Sequence, residues 1–157
     1  MAGPITIERI LALQAAYIRA IDSDELEAWP QFFLGQCLYT VTTAENRKNG
    51  FPAGIIYADT RAMLIDRVAA LRQANIYEKQ SYRHILGLPN VTGNDGNEAE
   101  SETPFMVVRI MHDGATSIFA TGVYLDTYRL SGADLKFAKR VVVCDSSHVD
   151  TLMALPL

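Results

Sequence analysis

After Pro4, the apolar residues Ile7, Ile10, Leu11, Tyr17, Ile18 and Ile21 recur at three- and four-residue intervals. That spacing puts them on one stripe of a helix, with Glu8, Arg9 and Arg19 on its other side. Asp22-Ser23-Asp24 then offers capping oxygens for a short second helix through Leu26, Trp29, Phe32 and Phe33. Glu25 and Glu27 favour its first turn and Gly35 ends it. Cys37 to Thr43 is rich in β-branched and aromatic residues and alternates, so it reads as a strand. A polar loop from Glu45 to Gly50 follows, and the chain returns through Ile55, Ile56 and Tyr57. From Thr60 to about Tyr77 the helical spacing comes back, with Met63, Leu64, Val68 and Leu71 on one side.

The rest reads as antiparallel sheet. Ser81–Thr92, Glu98–Met111, Thr116–Leu130 and Leu135–Ser146 are long strands, separated by turns at 93–97, 112–114 and 131–134. Three helices before a four-stranded meander predict an α+β layer, with the helices on one face of a twisted sheet wrapped into an open cone. Gly87, Gly122 and Thr103-Pro104 are the expected places for bulges and bends. Strict alternation sets Phe119, Val123 and Leu125 against Ala120, Tyr124, Asp126 and Tyr128. On the last strand it sets Arg140 and Val142 against Phe137 and Val141. Both faces then carry apolar residues, although only one is needed for the helices. The uncharged segment 152–157 adds to that surplus, so a partner covers it or it folds back over its own core.

The chain has 157 residues, 49% hydrophobic and 20% charged, which fits one domain over 1–157 able to hold a core without cross-links. Its net charge of −4, with scattered basic residues, argues against a nucleic-acid partner, which needs clustered Lys and Arg. The longest uncharged run, Ala28–Ala44, has 17 residues and contains Pro30 and Gly35. A spanning helix needs about 20 apolar residues, so no membrane segment is expected. The start Met-Ala-Gly-Pro lacks a basic and apolar leader, which predicts a cytoplasmic protein with reduced Cys37 and Cys144.

Phosphate-binding glycine motifs and a nucleophile elbow are missing from the sequence. Three histidines, His84, His112 and His148, and two distant cysteines offer no closely spaced ligand pair for a histidine–cysteine iron–sulfur cluster or a non-haem iron. No metal, cofactor or catalytic site is therefore expected in this chain. One constellation could do acid–base work: Asp22 with His84, flanked by Tyr17, Tyr39 and Tyr82, as in an isomerase or dehydratase. The alternative is that Asp22 caps the helix starting at Asp24, while Arg83 and His84 make salt bridges or hydrogen bonds at a subunit contact.

Helix one running into Asp22-Ser23-Asp24, then Trp29-Pro30-Gln31-Phe32-Phe33 and Cys37-Leu38-Tyr39, resembles the opening of the small (β) subunits of aromatic-ring-hydroxylating dioxygenases. Tyr82-Arg83-His84-Ile85, Gly122-Val123-Tyr124-Leu125-Asp126 and Lys139-Arg140-Val141-Val142-Val143 resemble the strands of that family. The resemblance implies a cone of the nuclear-transport-factor-2-like type, trimeric within an assembly of three large and three small subunits. It implies that the large subunit carries a Rieske [2Fe–2S] cluster and a mononuclear Fe(II). Electrons then come from NADH through a separate reductase, and the small subunit is mainly structural. Arg83, Asp126 and Arg140 are candidates for an ion-pair network within the fold or at a contact, since the arginine fork can hold a carboxylate bidentately. Leu152, Leu155 and Leu157 are candidates for apolar burial at an interface.

Overall fold

The computed structural model describes residues 3–50, 54–74, 80–148 and 155–157. Helix α1 spans Ile7–Asp22, and a 3₁₀ turn Trp29–Phe32 leads into β1, Phe33–Thr43. α2 (Ala44–Lys48), β2 (Ile56–Thr60) and α3 (Arg61–Ala74) follow. The remaining strands are β3 (Gln80–Leu86), β4 (Asn90–Asn94), β5 (Glu98–Met111), β6 (Thr116–Ser131) and β7 (Asp134–Cys144). Thr6 is extended and caps α1 by accepting the Arg9 N–H at 3.4 Å, leaving the apolar stripe to follow in register. The buried face of α1 is Ile10, Gln14, Tyr17, Ala20 and Ile21, with a glutamine at its centre. Ile7 and Leu11, expected in the stripe, are each 40% exposed.

The strands form one mixed sheet in the order β2-β1-β7-β6-β5-β3, with β4 also paired to β5. The meander from β3 to β7 is antiparallel as expected. The opening strand joins it at the far side, where β1 runs parallel to β7 and antiparallel to β2. Parallel neighbours need a long crossover, and here everything from α2 to β6 supplies it.

Several expectations are corrected. Ser81–Thr92 is two strands, β3 and β4, lying on the same edge of β5. Gly87-Leu88-Pro89 separates them: the Gly87 N–H turns to the Pro104 carbonyl at 2.8 Å, and Pro89 has no N–H for a ladder. Gly35 lies inside β1 rather than at a helix end, because the buried Phe33 already sits in the ladder opposite Phe137. The loop after Thr43 opens as α2, capped by the Thr43 hydroxyl on the Asn46 N–H at 3.1 Å. The last residues expected in the third helix lie outside the described set.

Gly87 stands at the break between β3 and β4, whereas Gly122 lies in a regular stretch of β6. A Cβ at Gly122 would stand 1.9 Å from the Val143 carbonyl oxygen, and one at Gly87 would stand 2.6 Å from Pro104 Cγ, so both mark close approaches. Register shifts fall in β1 between Phe33 and Tyr39, in β4 between Val91 and Gly93, at Phe119, extra on β6 between the Val107–Ala120 and Val108–Ile118 pairs, and at Ala138, extra on β7 between Lys139 and Phe137. Those at Phe119 and Ala138 each shift the parity of their strand. The bulge at Ala138 turns Phe137 and Arg140 to the same inner face, which strict alternation had kept apart. The outer face keeps apolar groups as expected, with Ile85 49% and Ile118 66% exposed.

Gly122→Ala is expected to cost about 3 kcal/mol, since the opposing backbone must move to admit a methyl group. Gly35→Ala, where a Cβ meets nothing within 4 Å, should stay within about 0.5 kcal/mol. Paired denaturant unfolding of the two variants checks the contrast.

Candidate functional site

The interior of the fold is organised by two residues that face each other across the β6–β7 ladder, Asp126 and Arg140. Both side chains are fully buried. The Arg140 Nε and Nη2 groups donate to the two Asp126 carboxylate oxygens, each at 2.8 Å. This is the bidentate fork that arginine's planar geometry favours. The guanidinium carbon lies 4.3 Å from the Tyr17 ring centroid, 3.9 Å from Tyr124 and 4.3 Å from Phe137. Burial works against the charge on Arg140, but the adjacent Asp126 carboxylate outweighs it and holds the guanidinium protonated. Burial also pushes the Tyr124 and Tyr128 hydroxyls up, so they stay neutral.

Further polar side chains bond the Asp126 carboxylate. Tyr128 donates its hydroxyl to Oδ2 at 3.1 Å, and the Gln14 amide reaches that oxygen at 3.5 Å. The same amide donates to Tyr128 at 2.9 Å and to the Thr103 hydroxyl at 3.0 Å, while Ser101 joins Tyr128 at 2.8 Å. Gln14 thus ties α1 to β5 and β6 through one buried nitrogen. Gln14, Ser101, Thr103 and Tyr128 were not singled out from the sequence. The available signal was a polar residue at a core spacing of α1, three before Tyr17 and four after Ile10.

Residues 155–157 also lie inside. Leu155 and Leu157 are buried within the chain itself. The Leu157 carbonyl accepts from Tyr17 at 2.8 Å and from Tyr39 at 3.2 Å, and its N–H donates to Tyr39 at 3.2 Å. These phenols explain the fold-back: they offer the segment's backbone the partners it needs away from water. Leu152 lies outside the described residues. Arg83 does not join the network, because it alternates with the buried Tyr82 and His84 and stands on the exposed face of β3.

Asp22 and His84 do meet. His84 Nδ1 is 2.6 Å from Asp22 Oδ1, and the His84 backbone N–H donates to Oδ2 at 2.9 Å. A carboxylate can only accept, so the ring carries a proton on Nδ1. The two side chains are 0% and 5% exposed. This arrangement pins the C-terminal end of α1 to β3, and it leaves the ring no solvent-facing edge. Four pockets of about 160–450 Å³ along the surface are lined by other residues.

Among the described residues no three of His, Cys, Asp and Glu gather as a metal site. The donors do not suit iron–sulfur or non-haem iron ligation: His84 Nδ1 is taken by Asp22, and His112 and His148 sit in exposed connections. Burial pushes the Cys144 thiol up to about 11 and the Cys37 thiol up as well, away from the thiolate a metal requires.

Removing the Asp126 charge leaves Arg140 buried and unpaired, so Asp126→Asn is expected to lose about 3–5 kcal/mol in denaturant unfolding. The double variant Asp126→Leu, Arg140→Met should lose less than Asp126→Asn alone, because it removes both buried charges together.

A terephthalate 1,2-dioxygenase terminal oxygenase component subunit beta 2 from a Comamonas species is 52% identical over 149 residues, covering 95% of this chain and 97% of that one. Among solved structures, a Novosphingobium aromaticivorans chain, assigned as the beta subunit of an aromatic-ring-hydroxylating dioxygenase, superposes with a TM-score of 0.88 at 38% identity, covering 96% and 95% of the two chains. An NTF2-like protein with a cystatin-like fold, from the same organism, matches with a TM-score of 0.66 at 20% identity, covering 96% and 88%, and shares the fold alone. The family described as ring hydroxylating beta subunit matches residues 17–151, a span that holds β1 to β7, the Asp22–His84 contact and the Asp126–Arg140 pair. The chain belongs to that family, the small subunits of aromatic-ring-hydroxylating dioxygenases.

Proposed function

We propose that this chain is the non-catalytic small subunit of a terminal oxygenase that cis-dihydroxylates terephthalate in the cytoplasm. The substrate comes from the 52% identity to the Comamonas terephthalate subunit. Chemistry in this reading belongs to a large subunit holding a Rieske [2Fe–2S] cluster and a mononuclear Fe(II), reduced from NADH by a separate reductase. Three small subunits form a trimer that spaces three large ones. The observation that carries the reading is the closed interior. Where a cone could hold a substrate, this chain places a charge-compensated arginine among three rings. A well-packed interior of this kind supplies rigidity rather than a reaction volume. The half-exposed apolar groups and Arg83 on the outer sheet face support a subunit contact there.

A free-standing isomerase or dehydratase using Asp22 and His84 has their 2.6 Å contact behind it. The burial of the ring favours instead a structural tie.

Mixing the purified chain with its large subunit tests both readings. The expected result is an iron-free small subunit with no oxygen uptake alone, and a stable complex forming the cis-diol once mixed. Stoichiometric iron or oxygen-consuming turnover in the isolated chain would contradict the proposal. His84→Ala should lower the melting temperature yet leave product per assembled complex within about twofold, since the residue acts through packing. A cofactor-independent activity of the isolated chain that His84→Ala abolishes, with assembly intact, would favour the alternative.

A further inference from the structure

Leu155–Leu157 occupies the interior without belonging to any strand of the sheet. Among the described residues its polar contacts are three hydrogen bonds to two phenols, one on α1 and one on β1, and Leu155 and Leu157 are buried in the core. The walls are held by interactions that do not involve it. The Tyr17 ring packs edge-on against Phe137 at 5.4 Å and Phe33 at 6.1 Å, and under it lies the Arg140 guanidinium fixed by Asp126. The Tyr39 ring packs edge-on against Trp29 at 5.2 Å and Phe33 at 5.8 Å, and its backbone is paired opposite Arg140 in the β1–β7 ladder. These wall contacts are made without the segment, and toward it the walls present rings and the two hydroxyls that bond it. Tyr39 can both donate and accept, which matches a backbone carbonyl beside a backbone N–H.

We propose that this recess is a preformed peptide-binding pocket, closed in cis by the chain's own Leu155-Pro156-Leu157. Its ligand class is a short apolar segment that offers a backbone carbonyl and N–H to Tyr17 and Tyr39 and buries leucine side chains. Occupancy by the chain's own segment makes the pocket latent, and release of that segment exposes it to the same chemistry in trans. This inference does not rest on the assembly proposed above.

A variant ending at Ala154 tests it, with a synthetic peptide of residues 151–157 as the probe. The shortened chain should melt lower than the full one. The peptide should restore at least half of that loss and saturate, while the same peptide carrying Leu157→Ala should not. Tyr39→Phe in the shortened chain should weaken peptide binding about tenfold, the loss of one well-placed hydrogen bond in a buried site. A folded shortened chain that shows no shift at millimolar peptide overturns the proposal. If the shortened chain does not fold, hydrogen exchange on the full chain decides. The Leu157 amide should exchange at least tenfold faster than the β6–β7 ladder amides, and faster again in the Tyr17→Phe, Tyr39→Phe double variant with the ladder unchanged. Exchange of Leu157 together with the ladder, in one cooperative opening, would make the segment ordinary core and sink the pocket.

Discussion

A buried ion pair between Asp126 and Arg140 sets the terms for the rest of this fold. Taking both charges out of water is costly, and the cost is offset by close geometry and by hydrogen bonds to the remaining polar atoms. The bidentate fork, the hydroxyl of Tyr128 and the amide of Gln14 complete the carboxylate, while the third guanidinium nitrogen, Nη1, has no hydrogen-bond partner among the described residues and lies among three rings. Such a pair adds little net stability over a well-packed apolar replacement. Its effect is on uniqueness. A one-residue slip of β7 against β6 would separate the partners and strand two charges in the interior, so the pair fixes register more firmly than methyl groups could.

The same pair determines what the interior can do. α1, β1, β6 and β7 all send aromatic side chains toward it, and Tyr17, Phe33, Phe137 and Tyr128 form a continuous set of ring contacts. Together with Leu157 they fill the space between helix and sheet. An acid–base enzyme on this scaffold would need its histidine to face a volume that a substrate can enter. His84 is oriented by a carboxylate in the manner of a general base, yet its ring is enclosed. Geometry and access diverge at this residue. What the interior presents is a rigid body, with apolar groups left on the outer sheet face.

Much of this was legible in the chain. The helical spacing from Ile7 to Ile21 and the three turns rich in Gly, Asn and Asp mark α1 and the meander, because local periodicity and turn chemistry agree there. Asp126 and Arg140 could be named as partners, since both lie in strands that a short turn joins. Their burial could not be deduced from alternation. That depended on the bulge at Ala138, which no local signal marks and which reverses the facing of everything before it on β7. Gln14 escaped for a related reason: a polar residue in an apolar stripe reads as a defect until the hydroxyls it meets, 89 and 114 positions away, are in place. The parallel pairing of β1 with β7 is likewise a long-range choice without a local cue.

Exchange of the Arg140 Nε proton, followed by nitrogen-15 NMR, addresses the central claim most directly. With the guanidinium sealed against Asp126, this proton should exchange only when the whole domain unfolds, at the same opening free energy as the amides of Leu125 and Val141 in the adjacent ladder. Exchange within seconds, as for an arginine in contact with water, would show that the pair does not close the interior.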